Sequence, residues 1–149
     1  MGPAPELFTI GYEGTTQSRV LAALQAAGVT HLIDVRAVPQ SRKPGFSKRL
    51  LAASVEAVGI RYTHLRGLGT PKAGRDAARH GDVAGLHRIY AVQLQTREAV
   101  LDLERAAAIV AEGGACLLCF ERDPARCHRS LVASALPGHA VRHLFAEPV

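Results

Sequence analysis

Apolar residues recur along this chain at two spacings, one typical of strands and the other typical of helices. Short runs of branched and apolar residues predict strands at LFTIG, VTHLIDVR, IRYTHL, GGACLLCFE and AVRHLF. Apolar residues at helical spacing predict helices at QSRVLAALQAAG, KRLLAASVEAVG and CHRSLVASAL, and one long helix or two shorter ones over 83–112. The segment RGLGTPKAGRDAARHGD is predicted to be irregular because it is rich in glycine and charge.

The alternation of strands and helices predicts an α/β fold. We expect a single compact domain over residues 1–149, with a mostly parallel sheet and helices on both of its faces. A chain of this length can bury one sizeable core. In open sheets of this kind, ligands bind outside the carboxyl ends of the strands. The sequence therefore predicts the functional site at that edge.

Polar and reactive residues stand where the predicted strands end. They are Gly11 and Tyr12, Asp34 and Arg36, His64, and Cys119 and Glu121. Asp34 and Arg36 share one strand face, so a buried carboxylate has a cation beside it. That pair could order the following loop, or Asp34 could be a general base. We expect Asp34, His64, Cys119 and Arg129 to lie at one end of the sheet.

The segment CFERDPARCHRS joins the most strand-like run to a predicted helix. We expect Cys127 in the first or second turn of that helix, partly accessible beside His128 and Arg129, where the helix dipole and the cations would lower the pKa of its thiol. Asp123 and Pro124 form a strong helix start, which favours the second turn. The alternative is that Cys127 is a small buried residue that packs the helix on the sheet.

Cys116 and Cys119 form a C-x-x-C pair, a spacing found in zinc and redox sites. Residues three apart in a strand point to opposite faces, so these two sulfurs are not expected to share a metal or a disulfide. Cys116 is therefore predicted in the core. Cys119, Cys127, His128 and His64 could together surround a metal, although their spacing matches no zinc motif.

The loop AVPQSRKPGFSKR carries several cations and no acidic residue. Arg36, Ser41 and Arg42 are predicted to bind an anion there, because guanidinium groups match phosphate and carboxylate in bidentate geometry. Phe46 offers a ring that could stack on a ligand. The alternative is a solvated loop whose Phe46 lies in the core.

Charge and composition narrow the class of partner. The net charge of +5 comes from 15 arginines and three lysines against 13 acids, which favours an anionic partner. No apolar run approaches the roughly 20 residues of a membrane span, so no membrane partner is expected. The first residues, MGPAPELFTI, lack the pattern of a secretory signal, and the three cysteines are an odd number. A cytoplasmic protein with reduced thiols is expected.

Four segments resemble the signature blocks of the domain of unknown function 488 (DUF488) family. They are TIGYEG, IDVRAVPQSRKPGFSK, GIRYTHLRGLG and LLCFERDPARCHRSLVA, in this order from about Phe8 to Phe145. The resemblance implies a bacterial or archaeal single-domain α/β protein whose site lies in these blocks. It implies no particular activity or cofactor.

The leading hypothesis is a site that binds a phosphorylated ligand, either a nucleotide or a nucleic-acid end, with catalysis left open. The catalytic candidates are Cys127, His128, Cys119, Glu121, His64 and Asp34, and the ligand-binding candidates are Arg36, Ser41, Arg42, Arg129, Gly11 and Tyr12. This hypothesis assigns no metal, and it leaves the cofactor and the oligomeric state open. One alternative is a non-catalytic nucleic-acid-binding module that uses the basic loop and the 61–80 region. The other is a metal- or redox-sensing protein built on Cys119, Cys127 and His128.

Overall fold

The branched and apolar runs form five strands in the computed structural model, which describes residues 5–136 and 138–149. The strands are β1 (Glu6–Gly11), β2 (His31–Asp34), β3 (Arg61–His64), β4 (Ala115–Cys119) and β5 (Ala140–Leu144). They pair in the order β3-β2-β4-β1-β5, and every pairing is parallel. Helices cover both faces of the inner strands β2 and β4, which explains why every residue of these two strands is buried.

Six α-helices connect and cover the strands. They are α1 (Gln17–Ala26), α2 (Lys48–Ala57), α3 (Lys72–Arg79), α4 (Val83–Gln93), α5 (Arg97–Ala111) and α6 (Arg129–Ser134), with 3₁₀ turns at Arg66–Leu68 and Pro124–Arg126. The region 83–112 is thus two helices, and the Thr96 hydroxyl begins the second by accepting a hydrogen bond from the Ala99 amide at 3.2 Å. The prediction that 66–82 is irregular was wrong, because α3 lies within it.

The helices form a layer on each face of the sheet. One layer holds α1 and α2, whose buried residues Val20, Leu24, Leu51 and Val55 pack against Cys116 and Leu118. The other holds α4, α5 and α6, whose buried residues Tyr90, Ala106, Val110 and Val132 pack against Leu117 and Cys119. We call these the α1/α2 face and the α5/α6 face. The predicted α/β architecture is confirmed, and so is the placement of Cys116 and Cys119 on opposite faces.

Two sequence predictions concern residues outside the described part of the chain. These are the predicted absence of a secretory signal, which depends partly on residues 1–4, and the end of the predicted helix CHRSLVASAL before Pro137. Within the described residues, no helix combines the length and the apolar character needed to cross a membrane.

Gly11 ends β1 at a point where another part of the backbone comes very close. A Cβ atom built on Gly11 would lie 1.8 Å from the carbonyl oxygen of Glu121 and 2.8 Å from Nη1 of Arg129. Only a residue without a side chain allows this approach, which seats the loop after β4 on the end of β1. The glycine is thus required by packing.

We predict that Gly11→Ala lowers the free energy of unfolding by at least about 3 kcal/mol, since the backbone of the loop has to move to relieve the overlap. Gly28→Ala is the comparison, because Gly28 has φ of 76° and open space around its Cβ position. Gly28→Ala should lower the free energy of unfolding by roughly 1–2 kcal/mol, the cost of placing a residue with a side chain in a left-handed backbone conformation. Urea denaturation followed by circular dichroism measures both, and equal losses would contradict the packing role of Gly11.

Candidate functional site

The side chain of Arg129, the first residue of α6, is completely buried. Its guanidinium donates to Thr9 Oγ1 at 3.1 Å, to Cys119 Sγ at 3.2 Å, to the Arg122 carbonyl at 2.9 Å and to the Glu121 carbonyl. Burial lowers the pKa of Arg129 to about 10, so the group remains a cation at neutral pH. These donors are used to hold the loop after β4 against β1 and β4. Contact of Arg129 with the anion of a ligand stays a prediction.

Cys119 and Cys127 are joined by a disulfide, which corrects the expectation of reduced thiols. Cys127 precedes α6 and has an extended backbone with φ of −137°, so its prediction in the first or second helical turn was wrong. Asp123 and Pro124 do start a helix, but only the 3₁₀ turn that ends at Arg126. Cys127 is 1% exposed, so the prediction of a partly accessible thiol was wrong and the alternative of a small buried residue is confirmed.

His128 completes a buried group that we call the Cys–His cluster, consisting of Cys119, Cys127 and His128. Its Nε2 lies 2.6 Å from the carbonyl oxygen of Val35, which can only accept, so Nε2 carries the hydrogen. Nδ1 therefore has a free lone pair, and it lies 3.8 Å from Cys127 Sγ. Burial, reinforced by the charge of Arg129, lowers the pKa of His128 to about 4, so the ring is neutral at pH 7.

A second polar group lies at the same edge but on the α1/α2 face. Arg36 donates to both oxygens of Asp34, at 2.9 and 2.7 Å, and also to Tyr12 Oη at 3.1 Å and to the Phe46 carbonyl at 2.8 Å. Burial alone would lower the pKa of Arg36, but the hydrogen bond and the charge of Asp34 outweigh it and raise that pKa. Tyr62 donates to Asp34 at 2.5 Å. This pair orders the loop after β2, and a general-base role for Asp34 stays a prediction.

The basic loop after β2 comes near the Cys–His cluster only at Ala37 and Val38, while its candidate anion-binding residues Ser41 and Arg42 lie elsewhere. Phe46 is fully buried and stacks on Tyr12 with 4.3 Å between ring centroids, so the prediction of a ligand-stacking Phe46 was wrong and its place in the core is confirmed. Ser41 and Arg42 line a separate groove together with Lys48. The Ser41 hydroxyl accepts from the Lys43 amide at 3.1 Å, which closes the loop.

A cavity of about 120 Å³ lies over the carboxyl edge of the sheet, between the two polar groups. Six of the predicted site residues line it, namely Tyr12, Arg36, Cys119, Glu121, Cys127 and His128. It adjoins a larger cavity of about 820 Å³, because Arg75, Ala78, Phe120, Glu121 and Arg126 belong to the walls of both. We call the two cavities together the cleft.

The remaining predicted residues lie outside the walls of the cleft. Asp34 pairs with His64 in the register of β2 and β3, and Cys119 ends the neighbouring β4, so these residues share one end of the sheet as predicted. They do not share a face, since Asp34 lies toward α1 and α2 and Cys119 toward α5 and α6. His64 donates from Nε2 to the Arg36 carbonyl at 2.7 Å.

Arg75, Phe120, Arg126 and Phe145 line the cleft and were not among the candidate site residues predicted from the sequence. Arg75 was missed because α3 was predicted to be irregular, although Pro71 directly before its first residue was a signal of a helix start. Phe120 and Arg126 lie in the segment CFERDPARCHRS but were not among the candidate site residues, and Phe145 follows the last predicted signature block. Phe120 and Phe145 are 45% and 53% exposed, which only the tertiary structure reveals.

Thr70 also lines the smaller cavity and was not predicted. It is only 3% exposed, and its hydroxyl has no hydrogen-bond partner among the residues that the structure describes. A buried hydroxyl without a partner is costly in a folded protein. Thr70 thus offers a donor to a polar ligand in the cavity.

Glu121 places a carboxylate beside the disulfide. Its Oε2 lies 3.7 Å from Cys119 Sγ. Burial raises the pKa of Glu121 above its ordinary value, against the opposing charge of Arg129. The carboxyl group is therefore easier to protonate than an exposed glutamate.

A family model described as "Domain of unknown function DUF488" matches residues 16–136, which is most of the chain. The chain belongs to the DUF488 family. This confirms the resemblance to the family, and the matched range contains the last three signature blocks and every predicted site residue except Gly11 and Tyr12. Comparisons with curated proteins and with solved structures found no match.

We predict that Asp34→Asn lowers the free energy of unfolding by about 3–5 kcal/mol, because it leaves the buried charge of Arg36 without its counter-ion. The control is Glu112→Gln, which removes the ion pair with Arg61 at 2.9 Å, whose two side chains are 63% and 60% exposed. That change should cost less than about 1 kcal/mol. Urea denaturation at pH 7 compares them, and similar losses would contradict the structural role of Asp34.

We predict that iodoacetamide labels none of the three cysteines of the native, unreduced protein. After reduction, Cys119 and Cys127 should be labelled before Cys116, because they line the cavity while Cys116 is fully buried and burial raises its thiol pKa. Peptide mapping by mass spectrometry measures the order, and reduced, unfolded protein is the control in which all three react. Labelling of Cys127 without reduction, or of Cys116 as fast as the others, would be the opposite result.

Proposed function

We propose that the cleft binds a nucleotide, either free or as the phosphorylated end of a nucleic-acid strand. The observation that supports this most is the joint presence of exposed aromatic rings and an unpaired arginine in one cavity of about 820 Å³. That volume is within the roughly 300–1,000 Å³ of small-molecule sites. The two sources present the same chemistry, an aromatic base and a phosphate.

The aromatic part of the proposal depends on Phe120 and Phe145. Phe120 contacts Tyr12 edge-on, with 5.3 Å between ring centroids, which holds its ring in place while nearly half of the residue stays exposed. Phe145 lies under the guanidinium of Arg122, whose Cζ atom is 5.5 Å from the centroid of the Phe145 ring. Stacking of a base on an aromatic ring contributes roughly 1–3 kcal/mol, which gives these exposed rings a function.

The phosphate part depends on Arg126 and Arg75, which belong to the walls of both cavities. Arg126 is exposed, and its side chain has no hydrogen bond or ion pair with any described residue. Arg75 donates one Nη1–H to the Thr70 carbonyl at 2.9 Å and keeps its other donors. Arg79 differs, since it is paired with Asp76 at 3.2 Å. A phosphate between Arg75 and Arg126 would also be near the unpartnered Thr70 hydroxyl.

Acidic residues in the wall favour a nucleoside over a bare phosphate. The larger cavity is lined by four arginines and by Glu13, Glu121 and Asp123, so its net charge is small. Carboxylates accept hydrogen bonds from ribose hydroxyls and from the amino groups of bases. The same carboxylates repel an isolated phosphate. The lining therefore fits a ligand that carries both donors and a phosphate.

We predict that Arg126→Ala weakens binding of AMP by about 10- to 100-fold, the equivalent of a lost hydrogen bond between charged groups. Arg105→Ala is the matched control, because Arg105 is a 71% exposed arginine on α5 outside the cleft. Isothermal titration calorimetry measures the affinities, and adenosine and inorganic phosphate should each bind more weakly than AMP.

Two oligonucleotides of the same sequence, one with and one without a 5′-phosphate, distinguish a free nucleotide from the phosphorylated end of a strand as the ligand. Tighter binding of the phosphorylated strand, lost in Arg126→Ala, supports a strand end. Equal AMP affinity of Arg126→Ala and Arg105→Ala would overturn the proposal. Oligonucleotide binding that depends strongly on salt and on Arg42, but not on Arg126, would also overturn it and favour a nucleic-acid-binding module in the basic loop.

A further inference from the structure

The Cys–His cluster has the donor atoms of a metal site. Sγ of Cys119, Sγ of Cys127 and one ring nitrogen of His128 lie within 4.8 Å of one another, and all three residues are buried. Two thiolates and an imidazole are the ligand types that Zn²⁺ prefers. The proposed binding of a nucleotide uses none of these atoms, so the cluster needs an explanation of its own.

The position of the His128 ring supports ligation through Nδ1. Its Nε2–H donates to the Val35 carbonyl at 2.6 Å, and the other nitrogen faces Cys127 Sγ at 3.8 Å. Histidine ligands of metals are commonly held in this way, with one nitrogen donating to a carbonyl and the other left free for the ion. The ring is thus already oriented for the ion.

The surroundings also suit two thiolates. Arg129 donates to Cys119 Sγ at 3.2 Å from its guanidinium and to Cys127 Sγ at 3.5 Å from its backbone amide. Both hydrogen bonds and the buried positive charge favour the ionised sulfurs that a metal requires. The net charge of a bound Zn²⁺ with two thiolates is zero, which makes its burial beside a cation tolerable.

The spacing of the backbone permits the change from disulfide to metal site. The Cα atoms of Cys119 and Cys127 lie 7.3 Å apart. Two thiolates on a tetrahedral zinc ion, with bonds of about 2.3 Å, are about 3.8 Å apart. Side-chain rotation at fixed Cα positions can provide this separation.

We propose that, when the disulfide is reduced, Cys119, Cys127 and His128 bind one Zn²⁺ ion through Sγ, Sγ and Nδ1. All three residues line the cavity of about 120 Å³, so the fourth coordination position faces the cleft. Three protein ligands with one open position are the pattern of catalytic rather than structural zinc.

Reduction of the Cys119–Cys127 disulfide and binding of Zn²⁺ are two separate steps. A phosphine reductant supplies two electrons to the S–S bond and takes up the oxygen of one water, whose two hydrogens protonate the sulfurs of Cys119 and Cys127. Zn²⁺ then displaces those two protons when it binds the two sulfurs. No electron is exchanged with the metal.

The test uses the full chain, reduced with a phosphine, desalted without oxygen, and titrated with Zn²⁺ in competition with a chromophoric chelator and without nucleotide. We expect one equivalent bound by the reduced protein and none by the disulfide form. Cys127→Ser should weaken binding by more than the roughly 10- to 100-fold caused by losing an outer partner of a ligand. Cys116→Ala is the matched control and should bind as the unaltered protein does, since Cys116 lies on the opposite face.

Co²⁺ provides a spectroscopic measurement, because thiolate ligation gives a charge-transfer absorption. After reduction of the disulfide, this absorption should appear in the unaltered protein and in Cys116→Ala, and it should be weaker in Cys127→Ser. If Cys127→Ser does not fold, the unaltered protein still decides, since bound Zn²⁺ must slow alkylation of Cys119 and Cys127. The proposal would be overturned if the reduced, folded protein failed to bind Zn²⁺. It would also be overturned if Zn²⁺ bound without slowing the alkylation of these two thiols. Arg126→Ala should keep its zinc, so a failure of nucleotide binding is distinguishable from a failure of this site.

Discussion

The guanidinium of Arg129 lies inside the protein with no solvent contact, and its hydrogen bonds determine the course of the loop after β4. A buried charge without partners costs several kcal/mol, so the fold is stable only when this group is satisfied. The Glu121 and Arg122 carbonyls satisfy it from the loop, and Thr9 satisfies it from β1. The loop therefore runs over Gly11, where there is no side chain to obstruct it. Phe120 and Arg126 reach the cleft as a consequence of that path.

The edge of the sheet carries two polar groups that do not contact each other directly. Alternation along β2 places Asp34 and Arg36 on the α1/α2 face, and alternation along β4 places Cys119 on the α5/α6 face. Each group is satisfied mainly by side chains on its own face of the sheet, namely Tyr12 and Tyr62 on one face and Arg129 on the other. The smaller cavity lies over the edge between them. This separation explains how one wall can hold a disulfide while the other holds an ion pair.

The two sulfurs of Cys119 and Cys127 form part of the inner wall of the cleft. A disulfide and a pair of metal-bound thiolates differ in charge, in the separation of the sulfurs and in what the wall presents to a ligand. Any ligand that enters from the larger cavity meets Phe120, Arg75 and Arg126 first and this wall last. The proposed nucleotide site and the proposed metal site are thus adjacent but use different atoms.

The sequence alone determined the layers of this protein and the edge at which polar residues collect. Strand runs such as ACLLC are apolar enough to be recognised locally, and parallel pairing then places the carboxyl ends of the strands together whatever the strand order. Helix α3 was missed because its segment is rich in glycine and charge; in the structure Gly74 faces Thr70 and Ile89 so closely that a Cβ atom would lie 2.4 and 3.3 Å from their methyl groups.

The contacts of the site required the tertiary structure. Whether Phe46 stacks on a ligand or fills the core, and whether Arg129 meets an anion or the backbone, depends on which groups from distant segments reach those side chains. Cys127 illustrates the same limit, since a helix start at Asp123 was readable but its length of one turn was not. Local sequence specifies the kind of group that arrives at the edge of the sheet. Long-range packing alone decides which partner satisfies that group, because the competing partners are separated from it by up to 120 residues, as Thr9 is from Arg129.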